Sequence, residues 1–190
     1  MNTEELNALK ERAYKTAVEH GFHEDVKPDA YFLGLMMSEM GEAINADRKG
    51  WHADTKRFEK VMAMRCISPR VAFEEKIKDS VEDEIADIVI RLLDFAGLKG
   101  YELRQNNNIT QFDIEFLRLG EGFVADLFNL IGGLSDALDD DDLEIYVSGL
   151  ISIFSDRFDE MTGSDKGLWW FVKQKMRYNE LWPKLNGKLY

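Results

Sequence analysis

One cysteine, three prolines, three histidines, and only 24 basic residues against 36 acidic ones are the scarcities of this 190-residue chain. A lone Cys66 closes no intrachain disulfide. The N-terminal Met-Asn-Thr-Glu-Glu-Leu has neither the basic nor the apolar region of a secretion signal, so a reducing cytoplasm is the expected compartment. The shortage of Lys and Arg leaves a formal net charge of −12 and a pI of about 4.7. Such a charge repels a phosphate backbone and no basic run offsets it, which argues against nucleic acid as a partner and favours a divalent cation. No apolar run approaches the roughly 18 residues a membrane span needs, so no membrane partner is expected and the sequon Asn108-Ile109-Thr110 should carry no sugar. With no Cys/His cluster there is no zinc site of the usual kind. None of His20, His23 and His52 follows a glutamate by three residues, which excludes the Glu-x-x-His ligands of a di-iron bundle. All three read as surface histidines.

What is present is a core. Apolar residues make up 45% and aromatics 12% of the chain, enough for one folded domain over residues 1–190. Between the prolines the apolar positions recur with a period near 3.6, so the fold class is all-α, a bundle of about five to six helices. The cap and glycine signals place helices at about 3–20, 29–50, 80–97, 113–138, 142–161 and 166–181, with a short helix near 56–64 inside an otherwise irregular 50–79 stretch. The Asp139–Asp142 run lacks the glycine and distal glutamate of a calcium loop and reads as a turn whose last aspartate caps the next helix. Gly120-Glu121-Gly122-Phe123-Val124-Ala125 matches a dinucleotide fingerprint in letters but has no preceding strand, and no Gly-x-x-x-x-Gly-Lys-Ser/Thr loop occurs.

Chemistry gathers on two helices. At roughly 100° per residue, Phe32, Leu35, Met36, Ala43 and Ala46 form one apolar stripe, with Glu39 and Glu42 on or beside it. Val81, Ile85, Ile88, Leu92 and Phe95 form another, flanked by Glu84 and Asp87. Each acidic pair has i, i+3 spacing and so shares a helix face, at a desolvation cost that a plain structural helix avoids. If the two helices are antiparallel neighbours, four hard oxygen donors converge, which suits magnesium or manganese. The same four acids are also compatible with ordinary surface charge in so acidic a chain. Cys66, Met36, Met37 and Met40 read as core, and Trp169-Trp170-Phe171 as core or subunit interface.

The stretches Ser38-Glu39-Met40-Gly41-Glu42-Ala43 and Asp83-Glu84-Ile85-Ala86-Asp87-Ile88-Val89-Ile90 resemble the MazG-type all-α nucleoside triphosphate pyrophosphohydrolases, a superfamily that includes the dimeric deoxyuridine triphosphatases. The resemblance covers roughly residues 28–97 plus a C-terminal segment, and implies magnesium held by Glu39, Glu42, Glu84 and Asp87. Two departures stand out. Ser38 replaces the first glutamate of the family's Glu-Glu-x-x-Glu, and the interval from Glu42 to Glu84 is long, which suggests an insertion at 50–79. The resemblance further implies a homodimer or tetramer and hydrolysis of a nucleotide at its α-phosphorus to a monophosphate and pyrophosphate.

The C-terminal Lys175-Met176-Arg177-Tyr178-Asn179 and Pro183-Lys184-Leu185-Asn186-Gly187-Lys188 look like the tail with which relatives close over a nucleotide. Lys175, Tyr178, Asn179, Lys184 and Lys188 are therefore candidate substrate contacts, in a basic segment that could grip phosphates or simply serve helix carbonyls and surface acids. Lys49, beside Arg48, is a second candidate grip, and Trp51 a platform for a base or a packing residue. The alternative to a magnesium-dependent hydrolase is a non-enzymatic acidic helical interaction module or a nucleotide-binding regulator.

Overall fold

A computed structural model describes residues 1–65, 67–104, 118–138 and 142–182, and among them eight α-helices and no strand are found. They are α1 (Thr3–Glu19), α2 (Asp29–Arg48), α3 (Thr55–Met64), α4 (Pro69–Lys76), α5 (Val81–Lys99), α6 (Phe123–Asp136), α7 (Leu143–Thr162) and α8 (Leu168–Asn179). The all-α bundle is as expected, with more helices than the periodicity separates. No helix among the described residues is long and apolar enough to cross a membrane.

Local chemistry accounts for the ends of the site-bearing helices. α1 opens with the anticipated capping box, in which the Glu5 N–H donates to Asn2 Oδ1 at 2.8 Å and the Asn2 N–H donates to Glu5 Oε2 at 3.0 Å. Pro28 precedes α2, where its fixed φ suits a helix start. Ser80 Oγ accepts the Asp83 N–H at 3.2 Å, and Glu82, Asp83 and Glu84 fill the first turn of α5, where the helix dipole favours negative charge. Gly100, with a φ of 71°, ends α5 in a left-handed conformation that a side chain would strain.

α5 is the centre of the molecule. It packs against α1, α2, α7 and α8, and Val81, Ile85, Ile88, Val89, Leu92, Leu93 and Phe95 are all buried. Of the stripe expected on α2, Phe32, Met36, Ala43 and Ala46 are buried and Leu35 is half-buried. Met37 is exposed instead of core, because it lies off that stripe, and Met40 is partly buried. Phe171 is core, while Trp169 and Trp170 are partly buried.

The stretch 50–79 is more regular than expected. Besides α3 it holds α4, started by Ser68, whose Oγ accepts the Val71 N–H at 3.2 Å, and by Pro69 at the first helical position. Residues 113–117 of the helix expected at 113–138 lie outside the described residues, and α6 begins at Phe123, because Gly120 and Gly122 hold φ values of 98° and 110°. The Gly120 and Glu121 N–H groups both donate to Asp126 Oδ1, at 2.8 and 3.1 Å, so the glycine pair is a helix entry closed by its own aspartate. Asp142 occupies the cap position of α7 without a side-chain capping bond. Cys66, Asn106–Asn108 with its sequon, Asp139–Asp141, Lys184 and Lys188 lie outside the described residues.

Candidate metal centre

Three ties along α2 and α5 show the helices to be antiparallel. Lys99 Nζ bonds Asp29 Oδ2 at 2.7 Å, Arg91 bonds Glu39, and Glu84 lies beside Glu42. The antiparallel register places the expected acidic pairs opposite each other. Glu39, Glu42 and Glu84 each offer a carboxylate oxygen within 4.8 Å of the others. Glu84 is only 3% exposed and Glu39 8%, whereas Glu42 opens to solvent.

These carboxylates are short of positive charge. Burial, then the neighbouring Asp87, Asp83 and Glu42, push the Glu84 carboxyl up to about 9, against an opposing pull from Lys175. Burial and Asp87 likewise raise Glu39, and Arg91 opposes them. Arg91 donates through Nε and Nη2, at 3.2 and 3.0 Å, to a single oxygen, Glu39 Oε1. Desolvated oxygen donors with too little compensating cation, and no sulfur or imidazole among them, fit a hard divalent ion.

Asp87, expected as the fourth ligand, has another partner. Its Oδ2 lies 2.8 Å from Lys175 Nζ, which is also 2.8 Å from Asp83 Oδ2. Asp83 is fully buried, and burial and Asp87 push its carboxyl up to about 6 against the pull of Lys175. Asp83 was legible as the third residue of a helix N-terminus, but nothing local marks it as a partner of Lys175. Arg91 carried a usable signal, since it falls one turn beyond Asp87 on the same face.

The anticipated substrate contacts divide. Lys175 is buried in those ion pairs and not presented to the open groove. Tyr178 is also buried, with its hydroxyl donating to Glu74 Oε1 at 3.1 Å and its ring stacked on Phe73 at 4.6 Å. Lys49 and Trp51 are exposed just past α2. The Trp51 carbonyl accepts the Val81 N–H at 3.1 Å, which fixes this loop to the start of α5. Asn179 lines a small cleft of about 60 Å³ that is bordered by Asp87 and Arg91 and also by His20, Phe22 and Asp94.

No family model matches this chain, and neither does any curated protein or solved structure. The chemistry of the site therefore carries the functional argument.

One of the three histidines departs from the surface role expected of it. His23 is buried between the rings of Tyr14 and Phe32, at 5.3 and 5.7 Å, and its Nε2 is paired with Asp94 Oδ1 at 2.7 Å. The packing of the loop after α1 against α5 sequesters it. His52 is exposed, as expected, and pairs through Nδ1 with Glu82 Oε1 at 3.0 Å, and Glu82 Oε2 accepts the Ala53 N–H at 2.9 Å. The buried Glu82 thus braces the loop that carries Trp51.

Proposed function

We propose that this chain is a magnesium-dependent nucleoside triphosphate pyrophosphohydrolase of the MazG-like all-α kind, with manganese as a possible substitute, acting on cytoplasmic nucleotides to release a monophosphate and pyrophosphate. The observation that carries the proposal is the convergence of Glu39, Glu42 and Glu84 across antiparallel helices. Their oxygens would hold a divalent ion, which would supply Lewis acidity toward phosphoryl oxygens and toward water. Arg91 holds Glu39 in position, and the rigid first turns of α5 hold Glu84. Exposed Lys49 offers a charge to phosphate and exposed Trp51 a ring to a base. The choice of the α-phosphorus comes from the family resemblance alone.

The test is incubation with a panel of canonical and modified nucleoside triphosphates plus magnesium, with pyrophosphate as the readout and Glu39→Gln as control. Release by the wild type and its loss in the variant are expected. Absence of release from every substrate, or equal release by the variant, sinks the enzyme.

One observation favours a second reading, an interaction module. Met37, Val124 and Phe128 are exposed near an open groove between α2 and α6, which is also lined by Met40, Ile44 and Phe123. The same face would serve an enzyme as a contact in the homodimer or tetramer, and light scattering measures which assembly forms.

A further inference from the structure

Lys175 sits where a lysine is costly. Its side chain is 8% exposed, and a buried ammonium persists only when paired. Three helices build its surroundings. α5 supplies Asp83 Oδ2 and Asp87 Oδ2, each 2.8 Å from Nζ. α4 supplies the Phe73 ring, 5.7 Å from Nζ, and α8 itself supplies the Tyr178 ring at 6.0 Å, a distance at which aromatic faces attract a cation. Phe73 and Tyr178 are both buried and stacked on each other, so the cage is rigid. One polar atom in it is unmatched. Asp83 Oδ1 is buried with no hydrogen-bond partner among the described residues, a coordination capacity that the ammonium does not use.

We propose that Lys175 is a resident cation standing in for a second divalent ion, so that the acidic groove takes one ion, at Glu39, Glu42 and Glu84, and Asp87 contributes charge without a ligand bond. The proposal rests on the metal reading above. With Nζ at 2.8 Å from both aspartates, an ion demanding oxygen at about 2.0–2.1 Å has no place between them unless Lys175 leaves its cage. Among the described residues, Glu39, Glu42 and Glu84 hold no ammonium of this kind. Arg91 engages one oxygen of Glu39 and leaves the rest of the trio to an ion.

The experiment is a Mn²⁺ titration of the full-length chain, with free Mn²⁺ followed by electron paramagnetic resonance. The wild type should bind one tight ion per chain. Lys175→Met, close in volume and without charge, should bind two, the second drawn by Asp83 and Asp87. Asp87→Asn, which keeps the Lys175–Asp83 pair, should weaken the first ion by about fivefold or less, the effect of a charge removed through space. Glu84→Gln should weaken it by about tenfold or more. Two ions on the wild type, one ion on a natively helical Lys175→Met, or equal losses for Asp87→Asn and Glu84→Gln would each overturn the proposal. If Lys175→Met does not fold, the Asp87→Asn comparison decides. No Mn²⁺ on the wild type overturns the metal reading itself, a result distinguishable from two ions.

Discussion

The acidic groove has two ends of different character. At one, Glu39, Glu42 and Glu84 converge, Arg91 pairs with Glu39, no ion pair reaches Glu42 or Glu84 among the described residues, and burial leaves Glu84 reluctant to ionise. At the other, Asp83 and Asp87 share the ammonium of Lys175 inside an aromatic cage. All of these acids but Glu39 and Glu42 lie on the same two turns of α5, so their fates are not set by that helix. The difference lies in the neighbour. α2 faces Glu84 with more acid, whereas α8 faces Asp83 and Asp87 with a lysine. An acid that meets its own cation is structural, and an acid left without one is available to a ligand.

The largest expected effect tests the neutralised end. Lys175→Met strands the buried Asp83 and half-buried Asp87 carboxylates and should cost about 3–5 kcal/mol in urea unfolding. A loss below about 1 kcal/mol would mean that the two ends do not differ. The uncompensated end should respond in the opposite sense. Glu84→Gln should reduce pyrophosphate release by about a hundredfold while raising the melting temperature of the metal-free protein at pH 8, because the cost of keeping Glu84 protonated in the fold at that pH is removed. A fall in both quantities would make Glu84 a structural acid.

The pH dependence follows from Glu84 and Asp83 together. Both are raised in the fold, Glu84 from 4.5 to about 9 and Asp83 from 3.8 to about 6. The folded chain therefore keeps protons that the unfolded chain has already released, and stability falls as pH rises. The contribution is complete below about pH 4, and is lost through about 6 for Asp83 and about 9 for Glu84. Melting in EDTA should thus be lower at pH 9 than at pH 5, and saturating Mg²⁺ should narrow the gap by binding the ionised trio. A gap that Mg²⁺ leaves untouched would remove the trio as its site. The smallest effect concerns the rim. Trp51, 55% exposed, should lose about 1 kcal/mol of base stacking on Trp51→Ala, about a fivefold rise in KM, with the melting temperature unchanged. An unchanged KM would leave Trp51 as loop packing.

Much of this was legible locally. The Asn2–Glu5 box, Ser80 before Asp83, and Pro28 before Asp29 are short-range signals, and each marks a helix start that the fold uses. The i, i+3 acids on two apolar-striped helices likewise marked Glu39, Glu42 and Glu84. α4 was missed although Ser68-Pro69 announces it, because eight residues hold too few turns for a periodic pattern to register. The allegiance of Asp87 was not legible at all, since its partner Lys175 is 88 positions away and only the packing of α8 on α5 brings them together. His23 met Asp94 across 71 positions in the same way.

Composition, periodicity and caps by themselves determined an acidic, all-helical chain and which residues share a helix face, because those properties depend on a few neighbouring residues. Only the tertiary structure decided which acids face acid and which face Lys175. Charge compensation is a contact across elements, and the bundle's packing chooses the partner.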